Sequence, residues 1–282
     1  MTAPPRLTDR AALERARTRA QPSALFLHEA AVAELQERLA TVNRSFTVPA
    51  LVTGLPQAWS HALSGAKVVA DAPVLDLEPG AHDLVVHALA LHWADDPVGQ
   101  LVQCRRALAP DGLLLAVLFG GQTLHELRAA LAEAEARVAG GISPRVAPMA
   151  EIRDLGALMQ RAGLALPVAD AVPYAATYAD AWALMRELRA MGEVNALAAR
   201  HRRPPRPALF AEAARTYAES FPAPGGRIRA TFETIWLTGW APAENQPKPL
   251  RPGSAVTRLA DALGTTERDP QGQPAALDRP PS

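Results

Sequence analysis

From Ala24 to Val42 the apolar residues Leu25, Val32, Leu35 and Leu39 recur at helical spacing behind Pro22-Ser23, which predicts an amphipathic helix lying on a sheet. A short apolar run, Val48 to Val52, then leads through Gly54 into Ala58 to Leu63, the pattern of strand, turn and helix. Lys67 to Ala70, Asp83 to Leu89 and Leu113 to Phe119 are further strand candidates, with a helix from about Val98 to Leu108 before the last. Parallel neighbours need a long crossover, so strands alternating with helices predict βαβ units. Pro110-Asp111-Gly112 supplies turn chemistry before the last of these strands, proline presetting φ and glycine admitting positive φ.

Thr123 and Glu126 have the spacing of a capping box for a helix carrying Leu124, Leu127, Leu131 and Val138, which Gly140-Gly141 would end. Helical patterns return from about Met149 to Ala162, Trp182 to Met191 and Ala208 to Phe221. From Ile228 to Trp240, β-branched and aromatic residues predict a closing strand. Beyond Trp240 proline rises and large apolar residues thin out, so 242–282 reads as a mostly disordered tail behind a 24–241 domain.

Residues 1–23 hold Arg6, Arg10, Arg15, Arg17 and Arg19 against Asp9 and Glu14. The choice lies between a transit peptide and a solvated basic helix, and the acidic residues favour the helix. Of 282 residues, 49% are hydrophobic, enough for one sizeable core. The 29 basic and 29 acidic residues cancel, which removes the global field of a nucleic-acid binder. Cys104 is the single cysteine, so internal disulfides and multi-thiolate metal sites are excluded, and its helical position makes it a packing residue. No window approaches the roughly 18 apolar residues of a membrane span. The expectation is a cytoplasmic protein, associated with the inner face of a membrane only through a partner.

Several segments occur in a telling order: Asp83-Leu84-Val85-Val86, Leu91-His92-Trp93, Leu108-Ala109-Pro110-Asp111-Gly112 and Phe119-Gly120-Gly121-Gln122-Thr123-Leu124-His125-Glu126-Leu127-Arg128. Gly141-Ile142-Ser143-Pro144, Asp154-Leu155-Gly156, Met191-Gly192-Glu193-Val194-Asn195 and Ile235-Trp236-Leu237-Thr238-Gly239-Trp240 follow. Together they resemble the methyltransferase-like complex I assembly factor 5 family of mitochondria and alphaproteobacteria, over most of residues 24–254. The Phe-Gly-Gly and Met-Gly-Glu pieces are the specific ones. The resemblance implies a Rossmann-like class I methyltransferase fold: a twisted, mostly parallel sheet flanked by helices. It also implies S-adenosylmethionine as cofactor and a respiratory complex I subunit or assembly intermediate as partner. The mitochondrial branch is associated with hydroxylating an arginine of a quinone-site subunit rather than with methylation.

Against that pattern the nucleotide loop is degenerate. An acidic residue followed by three spaced glycines would let backbone amides approach the ligand, whereas this chain reads Val52-Thr53-Gly54-Leu55-Pro56-Gln57-Ala58. Only Gly54 remains of the glycines, Val52 replaces the carboxylate, and Pro56 removes an amide donor. The stretch from Gly54 to Asp71 is too short for two strands. Either the second strand is deleted, with Asp71 to Asp83 spacing the third, or Lys67 to Asp71 is the second, with Asp71 on the ribose, and the third is missing.

The candidate cofactor contacts are Gly54, Asp71, Ala72, His87 and Trp93, with His92 as the candidate catalytic group and no metal site. His92-Trp93 falls at the carboxyl edge of a strand, where doubly wound sheets place ligands; packing of the strand end is the bland alternative. His87, inside a strand, reads first as a satisfied core histidine and only second as a cofactor contact. Asp95-Asp96 suits helix capping before Pro97, and Gly120-Gly121 either admits a protein substrate or ends a strand. The basic run Arg200 to Arg203 with Arg206 reads as a solvated loop between helices. There is no His-Glu-x-x-His or Gly-x-Ser-x-Gly motif. Two functions follow: an S-adenosylmethionine-dependent methyltransferase or arginine hydroxylase acting on a protein side chain, or a pseudoenzyme scaffold with the same fold. The eroded loop predicts loss of ordinary S-adenosylmethionine binding.

Overall fold

A computed structural model describes residues 6–246 and 265. In chain order the elements begin α1 (Arg10–Arg17), α2 (Phe26–Thr41), β1 (Pro49–Thr53), α3 (Pro56–Trp59), β2 (Lys67–Val69), β3 (His82–Ala88), α4 (Pro97–Ala107) and β4 (Leu108–Phe119). They continue with α5 (His125–Ala139), α6 (Ile152–Arg161), β5 (Ala165–Tyr178), α7 (Ala181–Met191), α8 (Pro207–Ser220), β6 (Pro222–Ala223) and β7 (Arg227–Trp240). Residues 247–264 and 266–282, most of the expected tail, lie outside the described residues, as do 1–5.

The sheet runs β2-β1-β3-β4-β7-β5, with β6 paired to β7. β2, β1, β3 and β4 are mutually parallel, and β7 enters antiparallel between β4 and β5. The parallel strands are buried on both faces, and alternate residues divide between two cores. Leu51, Val86, Leu115 and Trp236 pack under α2, α5, α7 and α8, while Val52, Val85, Leu114 and Leu237 pack under α4 and α6. This is the expected mostly parallel α/β architecture.

Pairing of β2 with β1 decides between the two strand alternatives. Lys67–Val69 lies directly beside β1, with Ala50 opposite Lys67, and is the outermost strand on that side. It takes the second-strand place, with Asp71 two residues past its end. No helix or further strand occupies residues 70–81.

Four expectations change. The helix after Gly54 is shorter, Pro56–Trp59 rather than Ala58 to Leu63. β4 starts at Leu108, and Asp111, not Gly112, adopts the positive φ of +62° in its Pro-Asp-Gly segment. The Thr123/Glu126 capping box does not form: Thr123 Oγ1 donates to Glu233 O at 3.0 Å, and Thr231 Oγ1 donates to Glu126 Oε1 at 2.5 Å. Both side chains face β7, and Leu124 at φ +54° starts α5 with no side-chain cap. β5, the edge strand, has no counterpart among the predicted elements.

Candidate functional site

β1 ends at Thr53, whose hydroxyl accepts from Leu55 N at 3.2 Å and folds the loop at Gly54 back over the strand end. Beside it, across the ends of β1 and β2, opens a cavity of about 650 Å³ lined by Arg10, Arg17, Gly54, Gln57, Val69 and Asp71, among others. This is the position a nucleotide takes in an open α/β sheet.

Two arginines of α1 enter this cavity. Arg17 Nη1 donates to both Asp71 carboxylate oxygens at 2.9 Å, with the two side chains only 6% and 5% exposed. Arg10 adds Nη1 to Asp71 Oδ2 at 3.2 Å and Nη2 to Asp71 O at 2.5 Å. A Cβ built on Gly54 would overlap the Arg17 guanidinium, so that group fills the space the last loop glycine leaves. The helix expected to be solvated is therefore seated, with Leu13 fully buried against Trp93, Ala196 and Leu197.

Its seat is built from residues the sequence reading gave other roles. Asp95 caps no helix: its Oδ1 accepts from Leu7 N and Thr8 N at 2.8 and 3.0 Å, while Asp96 alone caps α4 through Gly99 N. Arg200 and Arg202, expected to be solvated, reach the α1 cap Asp9 at 2.8 and 2.7 Å. Gly192, at φ +90°, ends α7 and lets α1 approach: a Cβ there would stand 3.3 Å from Arg17 Cα.

Of the other expected contacts, Ala72 offers its carbonyl, which accepts from Gln100 Nε2 at 2.9 Å, and Gln100 Oε1 meets His87 Nε2 at 2.6 Å. His87 is fully buried, and burial holds its pKa below the usual histidine value. It sits beneath the cavity as a core histidine and does not line it. Trp93 also faces elsewhere, donating Nε1 to Glu193 Oε2 at 3.1 Å.

His92 lies in a single 3₁₀ turn after β3, packed on Phe119 with ring centroids 5.0 Å apart. Its side chain is 4% exposed, neither ring nitrogen has a hydrogen-bond partner, and Nε2 is 4.0 Å from Glu193 Oε2. Burial opposes ionisation of Glu193, but His92, Arg17 and His28 outweigh it and hold its pKa low. Trp93 and Glu193 line a second cavity of about 220 Å³ between α5, α7 and α8, walled by Leu127, Met149, Leu188 and Phe210. Gly120 and Gly121 end β4, bonding Glu233 O and Ala150 O, and line neither cavity.

Arg10, Arg17 and Glu193 were not assigned as site residues from sequence. Glu193 stood inside the Met-Gly-Glu segment, which was the available signal; nothing local marks which of five N-terminal arginines turns inward. No group of three or more His, Cys, Asp or Glu among the described residues could hold a metal ion. No helix there is long and apolar enough to cross a membrane.

With α1 seated, the residues present do not fit an adenosyl ligand. The carboxylate that would take ribose hydroxyls is already paired with two guanidinium groups, and Arg17 stands on Gly54.

The Methyltransferase domain family matches residues 34–116, from α2 into β4. The chain is 36% identical over 220 residues to "Arginine-hydroxylase NDUFAF5, mitochondrial" of Danio rerio, covering 78% of this chain and 68% of the relative. Against the protein of that name from Homo sapiens it is 33% identical over 221 residues, covering 78% and 64%. It is also 36% identical over 173 residues to "Malonyl-[acyl-carrier protein] O-methyltransferase" of Halorhodospira halophila, covering 61% and 57%. With its class I methyltransferase fold and this likeness along most of its length, the chain belongs to the NDUFAF5 family of methyltransferase-like proteins.

Proposed function

We propose that this protein takes part in assembling respiratory complex I and acts there on a protein side chain, an arginine in view of the relatives' name. The observation that carries the reading is where the two most specific sequence segments meet. Leu124 and Leu127 of the Phe-Gly-Gly segment, and Glu193, Val194 and Asn195 of the Met-Gly-Glu segment, all line the second cavity. Its walls are largely apolar and suit the stem of a long side chain, while the ionised Glu193 suits a guanidinium head.

His92 stands behind Glu193, its Nε2 4.0 Å from Glu193 Oε2 and outside the cavity lining, so in this reading it is a positioning residue that acts through Glu193. In the first cavity Asp71 is paired with Arg10 and Arg17, and Arg17 covers Gly54, so the groups that would hold S-adenosylmethionine are engaged. That engagement favours the second reading, a scaffold that retains the fold and binds the partner without chemistry.

Removal of the chain from its source organism separates the two. Complex I abundance and the masses of its arginine-containing peptides would be measured without the protein, with it restored, and with His92→Ala or Glu193→Gln. The enzymatic reading predicts that both variants lower the modified peptide at least about 100-fold. Loss of assembly without the chain, full assembly in the restored and variant strains, and no modified peptide in any strain together support the scaffold. Complex I unaffected by removal of the chain sinks both.

A further inference from the structure

We infer that α1 is a built-in latch on the nucleotide cavity, its Arg10 and Arg17 taking Asp71 and covering Gly54, so that an adenosyl ligand and the seated helix compete for the same groups and exclude one another. The inference rests on reading the first cavity as the adenosyl site. Three features separate it from an ordinary structural ion pair.

The first is coincidence of position. Arg17 covers Gly54 and takes both oxygens of Asp71, the two groups in this cavity suited to receive a nucleoside: a bare backbone for close approach and an acceptor for vicinal hydroxyls. A salt bridge made only for stability has no reason to stand on both. The second is incomplete satisfaction. Arg17 Nε is buried without a partner, so the guanidinium is held by one edge only, an arrangement that leaves part of its desolvation uncompensated.

The third is how α1 is attached. It is eight residues long, too short to hold as an isolated helix. Its one fully buried apolar side chain, Leu13, belongs to a small cluster apart from the two cores of the sheet. Leu7 and Ala12 pack at the edge of that cluster, and the remaining attachments are polar: Asp95 to Leu7 and Thr8, Thr8 Oγ1 to Trp93 O, a short backbone pairing of residues 7–9 with 196–198, Arg200 and Arg202 to Asp9, and Gln21 N to Ala190 O. An element held this way opens at lower free energy than the sheet it covers. Once α1 lifts, Asp71 and Gly54 become available, and the surface of Trp93, Ala196 and Leu197 beneath Leu13 is exposed.

The test is titration of S-adenosylhomocysteine into the unaltered protein, the double variant Arg10→Ala/Arg17→Ala, and Leu13→Ala, which weakens the seat without touching the ion pairs. Near-ultraviolet circular dichroism confirms the fold of each. Hydrogen exchange over residues 10–20 reports the latch without ligand. Exchange should quicken in both variants, and both should bind at least about tenfold more tightly than the unaltered chain, the factor expected if the open form is a tenth or less of the population.

Equal binding by all three proteins overturns the latch and leaves the adenosyl reading standing. Weaker binding by the double variant also overturns it, making Arg17 a ligand contact. Quickened exchange with no binding by any protein overturns the exclusion and the adenosyl reading together.

Discussion

Two buried histidines contribute to the acid response of this protein. His28 Nδ1 accepts from Trp59 Nε1 at 2.9 Å, so the neutral ring is the bonded form, and burial lowers its pKa from 6.5 to about 4. His87 is shifted in the same direction by burial. Between those values the unfolded chain takes up the proton first. Stability is therefore intact above pH 6.5 and falls as pH drops towards 4, His28 contributing at most about 3 kcal/mol. Carboxylates held low, such as Glu193, add to the loss as pH falls below their ordinary range. Urea unfolding at pH 7 and pH 4.5 should show this loss, and His28→Gln should show a smaller one; equal slopes would contradict the assignment. At this scale the sequence was partly legible. His92 falls just past β3, the strand end where the sequence placed it, and Asp71 just past β2, as one of the two sequence alternatives had it, but Glu126 misled. Its three-residue spacing from Thr123 fits a cap, yet both groups bond β7, and Glu126 is fully buried beside Thr231, 105 residues away.

Strands with both faces buried were legible, and the long edge strand was not. β1, β3 and β4 carry unbroken apolar runs, whereas β5 (Ala165–Tyr178) is half-exposed, rich in alanine and interrupted by Pro167 and Pro173. Those prolines are tolerated because β5 is the edge of the sheet, and its alanines give little β signal. α1 was legible as a helix but not as a plug, since its partner Asp71 lies 54 residues from Arg17. The α7 terminus tests how tightly α1 is held. Gly192→Ala imposes a left-handed conformation costing about 1 kcal/mol and adds a methyl 3.3 Å from Arg17 Cα. Its expected result is a lowered Tm together with faster tryptic cleavage at Arg15, Arg17 and Arg19. A lowered Tm with unchanged cleavage would show that α1 does not depend on this approach.

For the whole molecule, the alternation of strands and helices led correctly to the doubly wound sheet, and the family-specific segments led to the family. The eroded loop gave a reason to doubt the cofactor; the fold adds a second one that no local pattern carries, a helix from the far N-terminus seated in the cavity. Both bear on one quantity, the affinity of the unaltered chain for S-adenosylmethionine. Isothermal titration of that ligand into the folded, unaltered chain measures it directly. With Arg17 on Asp71 and Gly54 covered, no saturable heat is expected at ligand concentrations up to about 100 µM, a regime in which a micromolar site would be filled. A saturating isotherm with a micromolar or tighter Kd would contradict the account, because the seated α1 would then be no substantial barrier to the ligand.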